Sequence, residues 1–118
     1  MQRYGQIIKI KKEKIEEYKN LHAKPYEGVC EMIKECNIQN YSIYLFGEYL
    51  FAYFEYVGAD FEADMAKMAR DENTQKWWKV TDPCQISLGY AGQKWLNMEE
   101  VFHLDEKRRK NDNLFKLY

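Results

Sequence analysis

Histidine and cysteine, which carry much of the recognisable chemistry of metal sites and nucleophilic catalysis, are scarce in this chain. Histidine occurs twice, at His22 and His103, and cysteine three times, at Cys30, Cys36 and Cys84. The odd cysteine count and the lack of a Cys-x-x-Cys pair speak against a disulfide framework and against a zinc site. Cys30 and Cys36 fall in a helical pattern and are expected to pack as small hydrophobes. There is no HExxH, no EF-hand spacing, no glycine-rich phosphate loop and no GxSxG elbow. Neither sign of charge dominates, since 18 Lys and Arg face 19 Asp and Glu. Overall charge therefore leaves no footprint for nucleic acid or an anionic membrane. The basic run Lys107-Arg108-Arg109-Lys110 is diluted by Asp105, Glu106 and Asp112 and reads as a solvated tail. No apolar run approaches the ~18–20 residues of a membrane span. The first residues, Met1 to Gln6, lack the apolar stretch of a signal peptide. The expected location is the cytoplasm, with no nucleic-acid and no membrane partner.

What the chain has in quantity is aromatic surface, 16% of its residues, with ten Tyr, six Phe and three Trp. Tyrosine joins a large apolar ring to a hydroxyl that can hydrogen-bond. Such an excess suits a core, a subunit interface or a pocket for a polar ligand. The 118 residues, 46% hydrophobic and 31% charged, describe one folded domain. Residues 1–105 are expected to form it, followed by a charged tail over 106–118.

The period of the apolar residues gives the elements. Residues 4–10 alternate, with Tyr4, Gln6, Ile8 and Ile10 on one face, and read as a strand. Over roughly 12–36, Ile15, Tyr18, His22, Pro25, Val29, Met32 and Cys36 recur at spacings of three and four, an amphipathic helix. Pro25 should kink or restart it, and Asn37 can close it in a left-handed conformation. Residues 41–46 and 49–57 read as strands joined by Gly47-Glu48, a two-residue Gly-X hairpin loop. Asp60 can cap a short helix carrying Phe61, Met65 and Met68. A further helical turn is expected over 72–80, then a loop over 81–97 and a final strand over Met98–Leu104. The order β-α-β-β-α-β is the ferredoxin-like pattern, an α+β fold with helices on one face of an antiparallel sheet. Since the strands are apolar on both faces, the second face should be covered by a second copy of the chain, making a homodimer.

Five residues stand out as candidates for a site. His22 shares a helix face with Tyr18, four residues earlier, beside the Pro25 break, and imidazole suits proton transfer near neutrality. The plain alternative is a hydrogen-bonded core histidine. Tyr41 opens the second strand on the face of Ile43 and Leu45. Trp77 and Trp78 are adjacent, so on a helix they point about 100° apart; one can reach a pocket while the other packs. Flat aromatic faces suit the C–H face of a sugar ring.

At this point a resemblance becomes specific. Glu16-Glu17-Tyr18-xxx-His22, then Asn40-Tyr41-Ser42-Ile43-Tyr44-Leu45, then Thr74-Gln75-Lys76-Trp77-Trp78, and Glu99-Glu100-Val101-Phe102-His103-Leu104 follow one another as in the L-rhamnose mutarotase family. The resemblance spans about residues 3 to 105. It implies a dimeric ferredoxin-like α/β barrel that interconverts the α and β anomers of a 6-deoxy-sugar without a cofactor. It further implies that His22 is the proton donor and that Tyr18, Tyr41, Trp77 and Trp78 line the sugar site. The run Ala23-Lys24-Pro25-Tyr26-Glu27-Gly28 departs from the Trp-Pro-Glu-like stretch that the family has after its histidine.

Mutarotation needs the ring oxygen to gain a proton while the anomeric hydroxyl loses one. The second group is open at this stage among Tyr41, Tyr18 and a bound water. Two rival functions share the same fold logic. One is a haem-binding or cofactor-free monooxygenase protein, with His22 as a haem ligand in the first case. The other is a sugar-binding dimer that does not speed anomer exchange.

Overall fold

The computed structural model describes residues 1–89 and 94–105. Its strands are β1 (Gln2–Ile10), β2 (Ile38–Phe46), β3 (Tyr49–Tyr56), β4 (Gln85–Ile86) and β5 (Leu96–Met98). Its α-helices are α1 (Ile15–Ala23), α2 (Val29–Glu35), α3 (Phe61–Arg70) and α4 (Glu72–Thr81), with short 3-10 turns at Lys12–Lys14 and Asp82–Cys84. The sheet runs β2-β3-β1-β4, and β5 also pairs with β1. All of these pairings are antiparallel.

The helix expected over 12–36 is two, α1 and α2, while α3 and α4 are the two separate helices expected after Asp60. The 12–36 stripe is interrupted at residues 24–28, where Pro25 removes a backbone donor and Gly28 takes φ 85 immediately before α2. Gly28 is required there: a Cβ would come within 2.5 Å of the Asn73 side chain, besides meeting an unfavourable φ. Asn37 does close α2 with φ 65. Asp60 and Asp71 cap α3 and α4, accepting from the backbone N–H of Ala63 and of Thr74 at 3.1 and 2.9 Å. Gly47 takes φ 61 in the β2–β3 hairpin, as a Gly-X loop needs.

Three expectations are corrected. The final strand is Leu96–Met98, while residues 99–105 pair in no strand; this edge is short because it pairs only Gly5, Gln6 and Ile7. The 81–97 stretch is no plain loop, because β4 pairs Gln85 and Ile86 with the end of β1. Cys36 is buried as expected, but Cys30 is exposed, since it follows Val29 on the outer turn of α2. The tail over 106–118 lies outside the described residues.

One sheet face lies under the helices. Its residues anchor two apolar clusters, Ile8, Ile10 and Leu50 with Tyr18 of α1 and Cys84 of the second 3-10 turn at one end, and Ile38, Phe54 and Tyr56 at the other. Between them runs a row in which Gln6 lies opposite Ala52 on one side and Asn97 on the other, with Ile43 beyond Ala52. A small residue and two polar ones cannot fill a core. The packing parts there, and the gap is the floor of a cleft.

Candidate active site

The cleft has a volume of about 1260 Å³ and opens between the helix-covered sheet face and α1, α2 and α4. Tyr18, His22, Tyr41, Trp77 and Trp78 all line it. The five residues singled out from the sequence are thus brought together, although they come from α1, β2 and α4. His103, the other histidine, is exposed and is not among the lining residues.

His22 sits in the last turn of α1. Its Nδ1 lies 2.8 Å from the Tyr18 carbonyl oxygen. A carbonyl can only accept, so Nδ1 carries the proton, and the other nitrogen, Nε2, is the one available for chemistry in the cleft. The ring lies 4.1 Å from the Tyr18 ring and 5.0 Å, edge to face, from Trp77. Burial among these rings lowers its pKa below the ordinary histidine value, and the Tyr18 carbonyl opposes the shift without reversing it. The imidazole is therefore neutral at pH 7, with Nε2 a base.

The Tyr18 side chain is buried at 5% exposure. Gln85 Nε2 donates to its phenol oxygen at 3.1 Å. Burial raises the Tyr18 pKa, which keeps the phenol protonated, while the Gln85 amide works the other way. Tyr41 packs edge-on against Phe54 at 5.5 Å. Part of its residue surface is open to solvent, yet desolvation of the phenol pushes its pKa up to about 12. Trp77 is buried, its ring also edge-on to Tyr26 at 5.2 Å. Trp78 is half-buried on the next residue of α4. Opposite them, Gln6 Nε2 donates to Asn97 Oδ1 at 2.9 Å across the floor, and Lys94 pairs with Asp82 at the rim. No group of three or more His, Cys, Asp or Glu that could hold a metal ion occurs among the described residues. No described helix is long and apolar enough to cross a membrane.

The sequence over residues 3–104 matches the L-rhamnose mutarotase family. The chain belongs to that family. It is 34% identical over 107 residues to the L-rhamnose mutarotase of Bacillus subtilis, covering 89% of this chain and all of that one. To the L-rhamnose mutarotase of Lactiplantibacillus plantarum it is 30% identical over 105 residues, with the same coverage. The fold resembles the crystal structure of the L-rhamnose mutarotase of Formosa agariphila, with a TM-score of 0.72 at 21% identity over 89% of this chain and all of that one. A NIPSNAP family protein from Agrobacterium tumefaciens shares it more distantly, with a TM-score of 0.55 at 19% identity over 72% of this chain and 76% of that one.

In this L-rhamnose mutarotase family member, sequence reasoning missed Gln85, Lys94 and Asn97, because the stretch that holds them reads as a loop. One signal was available: Gln6 is the polar member of an otherwise apolar alternating face. A polar side chain at an inward position needs a partner or a polar ligand.

Proposed function

We propose that the chain is a cofactor-free mutarotase that interconverts the α and β anomers of L-rhamnose or a related 6-deoxy-sugar by acid–base ring opening. One observation carries the assignment of His22: its Nδ1 is committed to the Tyr18 carbonyl, leaving a neutral imidazole with a basic Nε2 beside a cleft lined by phenols and tryptophans. Nε2 takes the anomeric proton as the C1–O5 bond opens and its electron pair moves to O5, which takes a proton from a second acid. The aldehyde end turns, and the imidazolium returns its proton as the ring closes on the other face. The expectation makes His22 the acid of ring opening; with Nδ1 held by the Tyr18 carbonyl, we assign it instead as the base of opening, which donates on closure. Acid–base groups held in place contribute roughly 10²–10⁴-fold. Tyr41, Trp77 and Trp78 hold the sugar, with apolar ring faces for its C–H face and the Gln6–Asn97 pair as polar partners for hydroxyls.

The protein acts as a homodimer of ferredoxin-like domains spanning residues 1–105, in the cytoplasm, with 106–118 as an appended tail. The support is the sheet order β2-β3-β1-β4 and the sheet face away from the helices, where Ile7, Phe51, Tyr44 and Leu96 are register neighbours. A second sheet packed there would complete a barrel and remove this apolar surface from water. Saturation-transfer NMR of L-rhamnose with and without the protein measures anomer exchange directly. Unchanged exchange at micromolar protein would refute the activity.

A further inference from the structure

We propose that Tyr18 is the second acid–base group, giving its phenol proton to the ring oxygen as His22 takes the anomeric proton, and that Gln85 positions it through the phenol oxygen. This rests on the mutarotase reading above and assigns the group that His22 leaves undetermined.

A phenol has one proton to give and lone pairs with which to accept. Gln85 Nε2 donates to the Tyr18 oxygen, so that contact occupies a lone pair and leaves the proton uncommitted. No acceptor among the described residues takes it, and the side chain lines the cleft. Tyr18 also fixes its partner. Its backbone carbonyl holds His22 Nδ1, and the two rings lie 4.1 Å apart on one helix face. One residue therefore sets the base with its main chain and offers the acid with its side chain. Tyr41 lacks the counterpart of Gln85. Its phenol has no hydrogen-bond donor beside it among the described residues, so a phenolate there would be unsupported.

The step balances. The O1–H pair becomes the second bond of C1=O1 as its proton passes to Nε2. The C1–O5 pair moves to O5, which takes the Tyr18 proton. Imidazolium, phenolate and open-chain aldehyde result, with the Gln85 N–H on the phenolate oxygen. Closure on the other face returns both protons.

The test measures kcat and KM for L-rhamnose anomer exchange by NMR on variants checked for folding by thermal melting. Tyr18→Phe keeps the ring and should lower kcat on the order of 10²-fold with little change in KM. Gln85→Leu should lower kcat on the order of tenfold, the scale of one hydrogen bond to a charged group. Combined with Tyr18→Phe it should lower kcat no further, because it acts through the phenol. Gln85→Glu can only accept, so it should draw the phenol proton away and lower kcat at least as far as Gln85→Leu. The inference is overturned if Tyr18→Phe keeps its kcat, if Gln85→Leu costs as much in the Tyr18→Phe background, or if Gln85→Glu is fully active. Absence of exchange in the unaltered protein would instead overturn the mutarotase reading, and this inference with it. An active, His22-dependent protein indifferent to Tyr18→Phe overturns this inference alone.

Discussion

The two faces of the sheet use the same strands for opposite ends. On β3, Leu50, Ala52, Phe54 and Tyr56 are all buried under the helices, while Tyr49, Phe51, Tyr53 and Glu55 between them are not. On β2, Tyr44 and Phe46 are 64% and 78% exposed. The covered face completes itself: two apolar clusters take the load at its ends, and the short, polar row between them makes the cleft. The open face has aromatic rings and, among the described residues, no second layer. One strand step thus separates a face that floors a cleft from an apolar face left open, and adjacent residues should respond to mutation in different ways.

The largest effect is expected on the covered face. Leu50 is 2% exposed, and Leu50→Ala should cost about 2–5 kcal/mol in denaturant unfolding, the usual range for a buried leucine. That cost should appear at all protein concentrations. Next comes His22→Ala, which should lower the exchange rate on the order of 10²-fold with little loss of melting temperature. If the variant melts early yet keeps its rate per folded molecule, His22 is a core residue and the site must be rebuilt around another group.

Phe51→Asp tests the open face, one residue from Leu50. Light scattering should give a mass near that of one chain, against twice that for the unaltered protein. A Phe51→Asp protein that stays dimeric would place the interface elsewhere. Asp71→Ala removes the cap of the helix that carries Trp77 and Trp78, and should cost about 0.5–2 kcal/mol, with a weaker change in tryptophan fluorescence on adding L-rhamnose if that helix end loosens.

The smallest effect concerns pH. His22 has a lowered pKa in the folded chain, so below the ordinary histidine value the unfolded chain binds a proton that the folded one resists. Stability should therefore fall as pH drops from about 6.5 towards the folded pKa, and then level off for this group. The activity, which needs the neutral imidazole, should be retained over the same interval and lost only below it. A stability curve whose slope between these values is unchanged in His22→Ala would show that His22 does not contribute it.

Much of this was legible in the chain because it is periodic. The alternation in β1 and β3, the stripe through Tyr18 and His22, the Asp60 cap and the Pro25 break are all local patterns, and the structure keeps them. The five candidate residues could be named for the same reason, each standing on a face already drawn. Gln85, Asn97 and the short β4 and β5 were not legible. They are strands of two and three residues, too short for alternation to register, and they exist because β1 offers its free edge. The helix break was visible at Pro25, but its extent was not, since that depends on Gly28 fitting against Asn73 from another helix.

The Gln6–Asn97 contact across the cleft floor joins residues 91 positions apart. β1 is the first of the described strands in chain order, yet its neighbours in the sheet are β3, β4 and β5. Such distant pairings bring a large loop-closure cost before they return any stability, and chains dominated by them fold slowly. One edge of β1 therefore stays bare until β3, ending at Tyr56, is made, and the other until β4 and β5 follow at Gln85–Ile86 and Leu96–Met98. The cleft floor has no transient, half-synthesised version, because β1 and β5 must meet before the two polar side chains can face each other.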